Sequence, residues 1–291
     1  MQPLTRRSFL GSAALTAGAS ASASDPSLPL KFKLGLVTYN LAAKWDLPTI
    51  LKACQAAKVA AVEFRTTHAH GVEPTLSANE RREVKKKCGD AGVAIWGCGT
   101  TCEFHSPDPS VVKSNIESCE QFVRLAADLG GRGVKVRPND LPKNVQAEKT
   151  LEQIGKALIE CGRAADDAGV EIWVEVHGTG TQLPANMNSI MQHCGHTRVG
   201  VTWNSNATDI VNGSVKDSFE LLKPWIKSCH INELYKDTSG KYPYRELFTL
   251  LRGIGYDRYT LCEVGRTPQT VEDGIEILKY YSALWHELAA R

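Results

Sequence analysis

The chain has 291 residues, 42% hydrophobic and 23% charged, with a formal net charge of +2, an ordinary composition for a globular protein. So small a net charge leaves no large field for nucleic acid or an anionic membrane surface, and no stretch approaches the roughly 20 apolar residues of a membrane span. One α/β barrel of about 250 residues plus a short leader accounts for the length.

The leader comes first. Thr5-Arg6-Arg7-Ser8-Phe9-Leu10 is a twin-arginine pattern, and the weakly apolar run Gly11 to Ala19 follows it. Ala19-Ser20-Ala21 and Ala21-Ser22-Ala23 suit a small-residue cleavage site. Residues 1–23 are therefore expected to be a twin-arginine signal peptide that sends the folded protein to the periplasm or outside the cell. Residues 24–31 are expected to be a linker, and 32–291 the barrel.

From there, runs rich in Val and Ile alternate with amphipathic segments. The expected strands are Leu34–Tyr39, Ala60–Arg65, Ala94–Cys98, Gly133–Arg137, Glu171–His177, Val199–Asn204, Ser228–Asn232 and Tyr259–Val264. Between the first five lie helical patterns at Leu47–Lys58, Asn79–Ala91, Ser110–Leu129 and Leu151–Ala168. Gly92, Gly130, Gly169 and Gly255 each stop a helix just before a strand. Eight βα units imply a closed (β/α)8 barrel in a single domain, and the lack of a Gly-rich phosphate turn argues against an open doubly wound sheet. The basic run Arg81, Arg82, Lys85, Lys86 and Lys87 is interleaved with Glu80 and Glu83 and reads as a solvated helix face. Nine cysteines are spread through strands and helices without CxxC spacing. They read as buried apolar side chains, and Cys98 with Cys102 is the one pair spaced for a link. The last helix, Val271 to Leu288, should close the barrel, and its apolar surplus also suits a homo-oligomer contact.

In a strand, residues i and i+2 share a face. That rule turns Glu63, Arg65, Lys135, Arg137, Trp173, Glu175, His177 and Glu263 into the barrel, and it pairs Thr202 with Asn204 and His230 with Asn232. Charges inside a barrel are costly unless paired or bound to a metal. Two carboxylates, a histidine and an amide oxygen form an open site for a hard or borderline divalent cation (Mn, Mg, Co or Zn). Trp96 and Trp173 read either as a stacking wall for a sugar or as core.

At Glu175-Val176-His177-Gly178, Val199-Gly200-Val201-Thr202-Trp203-Asn204, His230-Ile231-Asn232-Glu233 and Leu261-Cys262-Glu263-Val264 the chain resembles the xylose-isomerase-like TIM barrels, which include ketose 3-epimerases, hydroxypyruvate isomerase, inosose dehydratase and endonuclease IV enzymes. The resemblance implies metal ligands at Glu175, Asn204, His230 and Glu263, with Glu233 and Lys236 as acidic and basic substrate contacts. Position 204 departs from the family pattern, carrying an amide where the family has a carboxylate, and this should weaken metal retention.

The chemistry expected is proton abstraction next to a carbonyl in a small ketose or related carbohydrate. Glu175 and Glu263 would serve as base and acid, and Lys135, Arg137 and His177 as orienting groups. Arg65 and His68 are further candidate substrate contacts. The pair His68 and His70 otherwise reads as loop, and eight histidines in the whole chain are too few for the trinuclear zinc cluster of a DNA-repair enzyme. A metal-dependent lyase or hydratase acting on keto-sugars or keto-glycosides is one alternative, and a non-catalytic sugar-binding barrel is another.

Overall fold

The structure is a computed structural model and describes residues 28–290. The proposed leader lies outside the described residues. Eight parallel strands, each followed by a helix, close on themselves in the order β1 to β8. The strands are β1 (Lys33–Val37), β2 (Ala61–Arg65), β3 (Ala94–Glu103), β4 (Gly133–Arg137), β5 (Glu171–Glu175), β6 (Val199–Asn204), β7 (Ile226–Ile231) and β8 (Tyr259–Cys262). β1 pairs with β8 through Lys33 opposite Tyr259 and Gly35 opposite Leu261, which completes the ring. The helices are α1 (Leu47–Ala57), α2 (Ala78–Asp90), α3 (Pro109–Leu129), α4 (Ala147–Asp167), α5 (Pro184–Cys194), α6 (Lys216–Leu222), α7 (Tyr244–Gly253) and α8 (Val271–Ala289).

Local chemistry sets the helix ends. Asp46 accepts from the Thr49 N–H at the start of α1, and Ser77 with Glu80 forms a capping box on α2. The four expected glycine stops all have positive φ, between 67° and 73°. Gly92 and Gly255 have nothing against them that excludes a side chain, so backbone conformation is what selects glycine there.

Two cores result. The outer one lies between strands and helices and holds most of the Val, Ile, Leu and Cys side chains. All nine cysteines are buried and free, including Cys98 and Cys102. The second core is inside the barrel and consists of Val37, Ala61, Trp96, Trp173 and Leu261. Trp96 and Trp173 stack at 4.7 Å between ring centroids with planes 16° apart. A Cβ at Gly97 or Gly133 would come within 2.9 Å or 2.6 Å of the Trp173 ring, so two bare backbones make room for this indole pair. The tryptophans are therefore core, and they separate the polar side chains at the C-terminal mouth from the Glu171 cluster at the N-terminal end. α8 buries Ile275, Leu278, Tyr281, Trp285 and Leu288 and packs against α1 and α7. No helix among the described residues is long and apolar enough to cross a membrane.

Strand limits differ from the pattern-based expectation at the ends that matter. β5 stops at Glu175 because Gly178, at φ +94°, packs its Cα against the Asn139 backbone, where a Cβ would lie 2.0 Å from the Asn139 oxygen. β8 stops at Cys262, leaving Glu263 on the loop. β3 runs five residues further than expected, through a register shift against β4, until Glu103 stands opposite Arg137.

Candidate metal centre and active site

A cavity of about 300 Å³ opens at the C-terminal end of the barrel, at the lower end of the size range of small-molecule sites. Its wall is built from seven of the eight strands and their exits: Val37 and Tyr39 from β1, Arg65 on β2, Lys135 and Arg137 on β4, Glu175 and His177 from β5, Asn204 and Asn206 from β6, Asn232 after β7, and Glu263 after β8.

At its base sits His230, fully buried. Its Nδ1 lies 3.1 Å from a Glu263 oxygen and 3.4 Å from a Glu175 oxygen, yet it has no hydrogen-bond partner of adequate geometry. On the other side, Nε2 lies 3.3 Å from the carboxylate of Glu63, which is also fully buried. Gly99 creates the space for that carboxylate, since a Cβ there would stand 2.7 Å from Glu63 Oε1. Burial alone would push the His230 pKa down, but Glu263, Glu63 and Glu175 reverse this and hold it well above the ordinary histidine value. Burial would likewise raise Glu175, and Lys135 and His230 beside it hold its carboxyl well below the usual range.

Glu175, His230 and Glu263 are the one group among the described residues whose His, Cys, Asp or Glu ligand atoms lie together, all within 4.8 Å of one another. A ring nitrogen without a partner, facing two carboxylate oxygens, is the donor set a divalent cation requires. A cation at this point would take the place of the Nδ1 proton, and Glu63 accepting from Nε2–H would then hold the ring in the tautomer that turns its Nδ1 lone pair to the ion. Asn204 stands differently. Its amide nitrogen donates to Glu175 at 3.2 Å, and its oxygen accepts from Asn232 at 3.4 Å. In this arrangement its amide nitrogen holds the Glu175 carboxylate and its oxygen is turned to Asn232.

Around this centre, Lys135 donates to Glu175 at 2.8 Å and is buried with it. Arg137 is paired with Glu103, which also accepts from Asn139 at 2.8 Å. His177 lines the cavity with its Nδ1 buried and unpartnered. The side chains expected at the mouth thus converge there, apart from three. Glu233 accepts from the Gly265 N–H at 2.9 Å and pairs with Lys236 at 3.0 Å, linking the exits of β7 and β8 outside the cavity lining. His68 lies 3.2 Å from the Thr38 hydroxyl and is also outside that lining. Its neighbour His70 has both ring nitrogens engaged by backbone, at Arg65 O and Val72 N, so the His68–His70 pair forms no metal site. Glu63 and Glu103 went without a role on sequence grounds. Strand alternation pointed Glu63 inward, but nothing local marked its pairing with His230. Glu103 lay beyond the expected end of β3.

The sequence pattern of the family described as xylose isomerase-like TIM barrel matches residues 51–281. The chain belongs to that family. No curated protein sequence matches it. Among solved structures, a D-psicose 3-epimerase crystallised in the presence of D-fructose is similar over 89% of this chain and 100% of its own, at 16% identity and TM-score 0.74. The IolI protein with a zinc atom is similar over 89% and 98%, at 16% identity and TM-score 0.72. A probable 3-DHS dehydratase of petrobactin synthesis from Bacillus anthracis is similar over 87% and 98%, at 15% identity and TM-score 0.69. At these identities the likeness is one of fold.

Proposed function

We propose that this member of the family is a metal-dependent isomerase or epimerase that moves a proton next to the carbonyl of a small polyhydroxylated carbohydrate. The observation that carries the reading is the buried, unpartnered Nδ1 of His230 facing Glu175 and Glu263 at the foot of an otherwise polar cavity. Those three residues would hold the ion, and Asn204 would join them only with its amide turned. A divalent cation polarises carbonyl and hydroxyl oxygens and acidifies the neighbouring C–H. Glu175, kept ionised by Lys135, and Glu263 reach the cavity from β5 and from the loop after β8, so one can take the proton and the other return it. His177 and Arg137 supply donors to substrate hydroxyls. The likeness to a sugar epimerase and to a zinc-bearing relative supports this reading.

A lyase or hydratase is the second reading, favoured by Lys135, whose ammonium stands 2.8 Å from Glu175 and is placed to protonate a leaving hydroxyl. The relative described as a probable dehydratase agrees with it. The twin-arginine pattern at residues 5–10 supports export of the folded enzyme, its metal already loaded.

The test is solvent deuterium exchange. The full chain is reconstituted with Mn²⁺, Mg²⁺, Co²⁺ or Zn²⁺ and offered ketoses and keto-glycosides in D₂O. Deuterium should enter the carbon beside the carbonyl. Chelation should abolish this, and Glu263→Gln should slow it by about 10³-fold. Inversion identifies an epimerase and loss of water a lyase. A metal-loaded protein that exchanges no proton in any of these compounds refutes both.

A further inference from the structure

Three cationic side chains line the cavity, and two of them are answered by carboxylates. Lys135 is bound to Glu175 and Arg137 to Glu103. Arg65 has no such partner. Its guanidinium donates to the carbonyl oxygen of the next residue, Thr66, at 3.2 Å and lies 5.8 Å from the centroid of the Tyr39 ring. No carboxylate among the described residues pairs with it within 4.0 Å. Its link to another element is thus the Tyr39 ring beside β1, and no carboxylate neutralises its charge. The fold nonetheless fixes its base: the Arg65 N–H donates to Thr38 Oγ1 at 2.9 Å, and its carbonyl oxygen lies 2.9 Å from His70 Nε2. Opposite it on β3 is Gly99, so the register neighbour offers no side chain to pair with the guanidinium.

The charge balance of the mouth points the same way. Three cations face four carboxylates (Glu63, Glu103, Glu175 and Glu263), so a divalent ion on the Glu175–His230–Glu263 group leaves one positive charge over. An aspartate at position 204 would cancel it, and this chain has an asparagine. In the closed strand order, β2 with Arg65 lies across the ring from β6 with Asn204. A ligand that touches both sides has its reacting carbon at the cation and a second functional group at Arg65.

We propose that Arg65 receives a substrate carboxylate, so that the substrate is a keto-sugar acid and not a neutral ketose. This rests on the isomerase-type reading of the site. A guanidinium meets a carboxylate through two parallel N–H···O bonds. A phosphate dianion needs more donors, and those of the two residues that follow Arg65, the Thr66 hydroxyl and the Thr67 N–H, are already given to Glu73 at 2.6–3.0 Å.

The experiment compares a ketohexuronate, with its carboxylate at the carbon farthest from the ketone, with the corresponding neutral ketohexose and its terminal phosphate ester. Binding to the full, zinc-loaded chain is measured by calorimetry, and deuterium exchange is measured on the same samples. The uronate is expected to bind at least tenfold more tightly than the neutral sugar. Arg65→Gln should erase the difference between acid and neutral sugar, and Arg65→Lys should keep part of it. Equal binding of acid and neutral sugar, tighter binding of the phosphate ester, no binding of the uronate, or a preference that survives Arg65→Gln overturns the proposal. The two readings fail separately: exchange with neutral ketoses and no uronate preference removes the carboxylate site alone. A uronate preference lost in Arg65→Gln, without exchange in any sugar, removes the catalytic reading alone.

Discussion

β5 carries two buried glutamates four residues apart, and they live in opposite circumstances. Glu171, at the N-terminal end, accepts from both terminal nitrogens of Arg258 at 2.6 and 3.1 Å, from Arg132 at 3.3 Å and from the Trp173 indole at 2.9 Å. Its oxygens are saturated with donors from three other positions, and burial, which would raise its pKa, is outweighed by Arg258 and Trp173. Glu175, at the C-terminal end, has Lys135 on one oxygen and the Asn204 amide on the other, and that second oxygen also faces a histidine nitrogen that no hydrogen bond satisfies. The same residue type on the same strand is closed off at one end and left open at the other. A buried charge with all its partners is architecture, and one whose surroundings remain incomplete has room for a visitor.

Substitutions sharpen that contrast. The largest effect is expected at the closed end. Glu171→Gln leaves Arg258 and Arg132 without their counter-charge and should cost about 3 kcal/mol. A thermal melt should then show Tm lower by roughly 6–12 °C, while exchange activity per folded molecule stays at the wild-type level. A fall in activity without a fall in Tm would erase the distinction between the two ends. At the open end, Glu63→Gln keeps the shape but removes the negative charge behind His230. Metal affinity, read by competition with a chelator, should drop by about 10–100-fold, with Tm of the metal-free protein changed little. Smaller again is Asn204→Asp, which adds an anionic oxygen beside Glu175. It should slow metal loss to a chelator by about tenfold, and an unchanged rate would show that this position does not influence the ion.

The barrel was legible because strands covered on both faces must be apolar while their exits need not be. The alternation in Gly133 to Arg137 and in Trp173 to His177 placed Lys135, Glu175 and His177 at the cavity with no knowledge of the fold's details. What stayed hidden depends on contacts across the ring. The run Gly99-Thr100-Thr101 looks like a turn, yet β3 continues through it, and only the pairing with β4 brings Glu103 to Arg137. The orientation of the Asn204 amide is set by Asn232, one strand over. Glu233 and Lys236 satisfy each other, a choice that proximity in sequence permits but does not reveal.

The stacked indoles of Trp96 and Trp173 have a consequence for traffic. With the floor of the barrel filled, a sugar turned over as proposed, its product and any water would use the same doorway. A proton lifted from it would have no back exit, and could wash out into solvent only by slipping past whatever corks that opening. The share of label returned to the same sugar molecule, set against the share lost, would therefore measure how tightly the bound ligand stoppers its own reaction vessel.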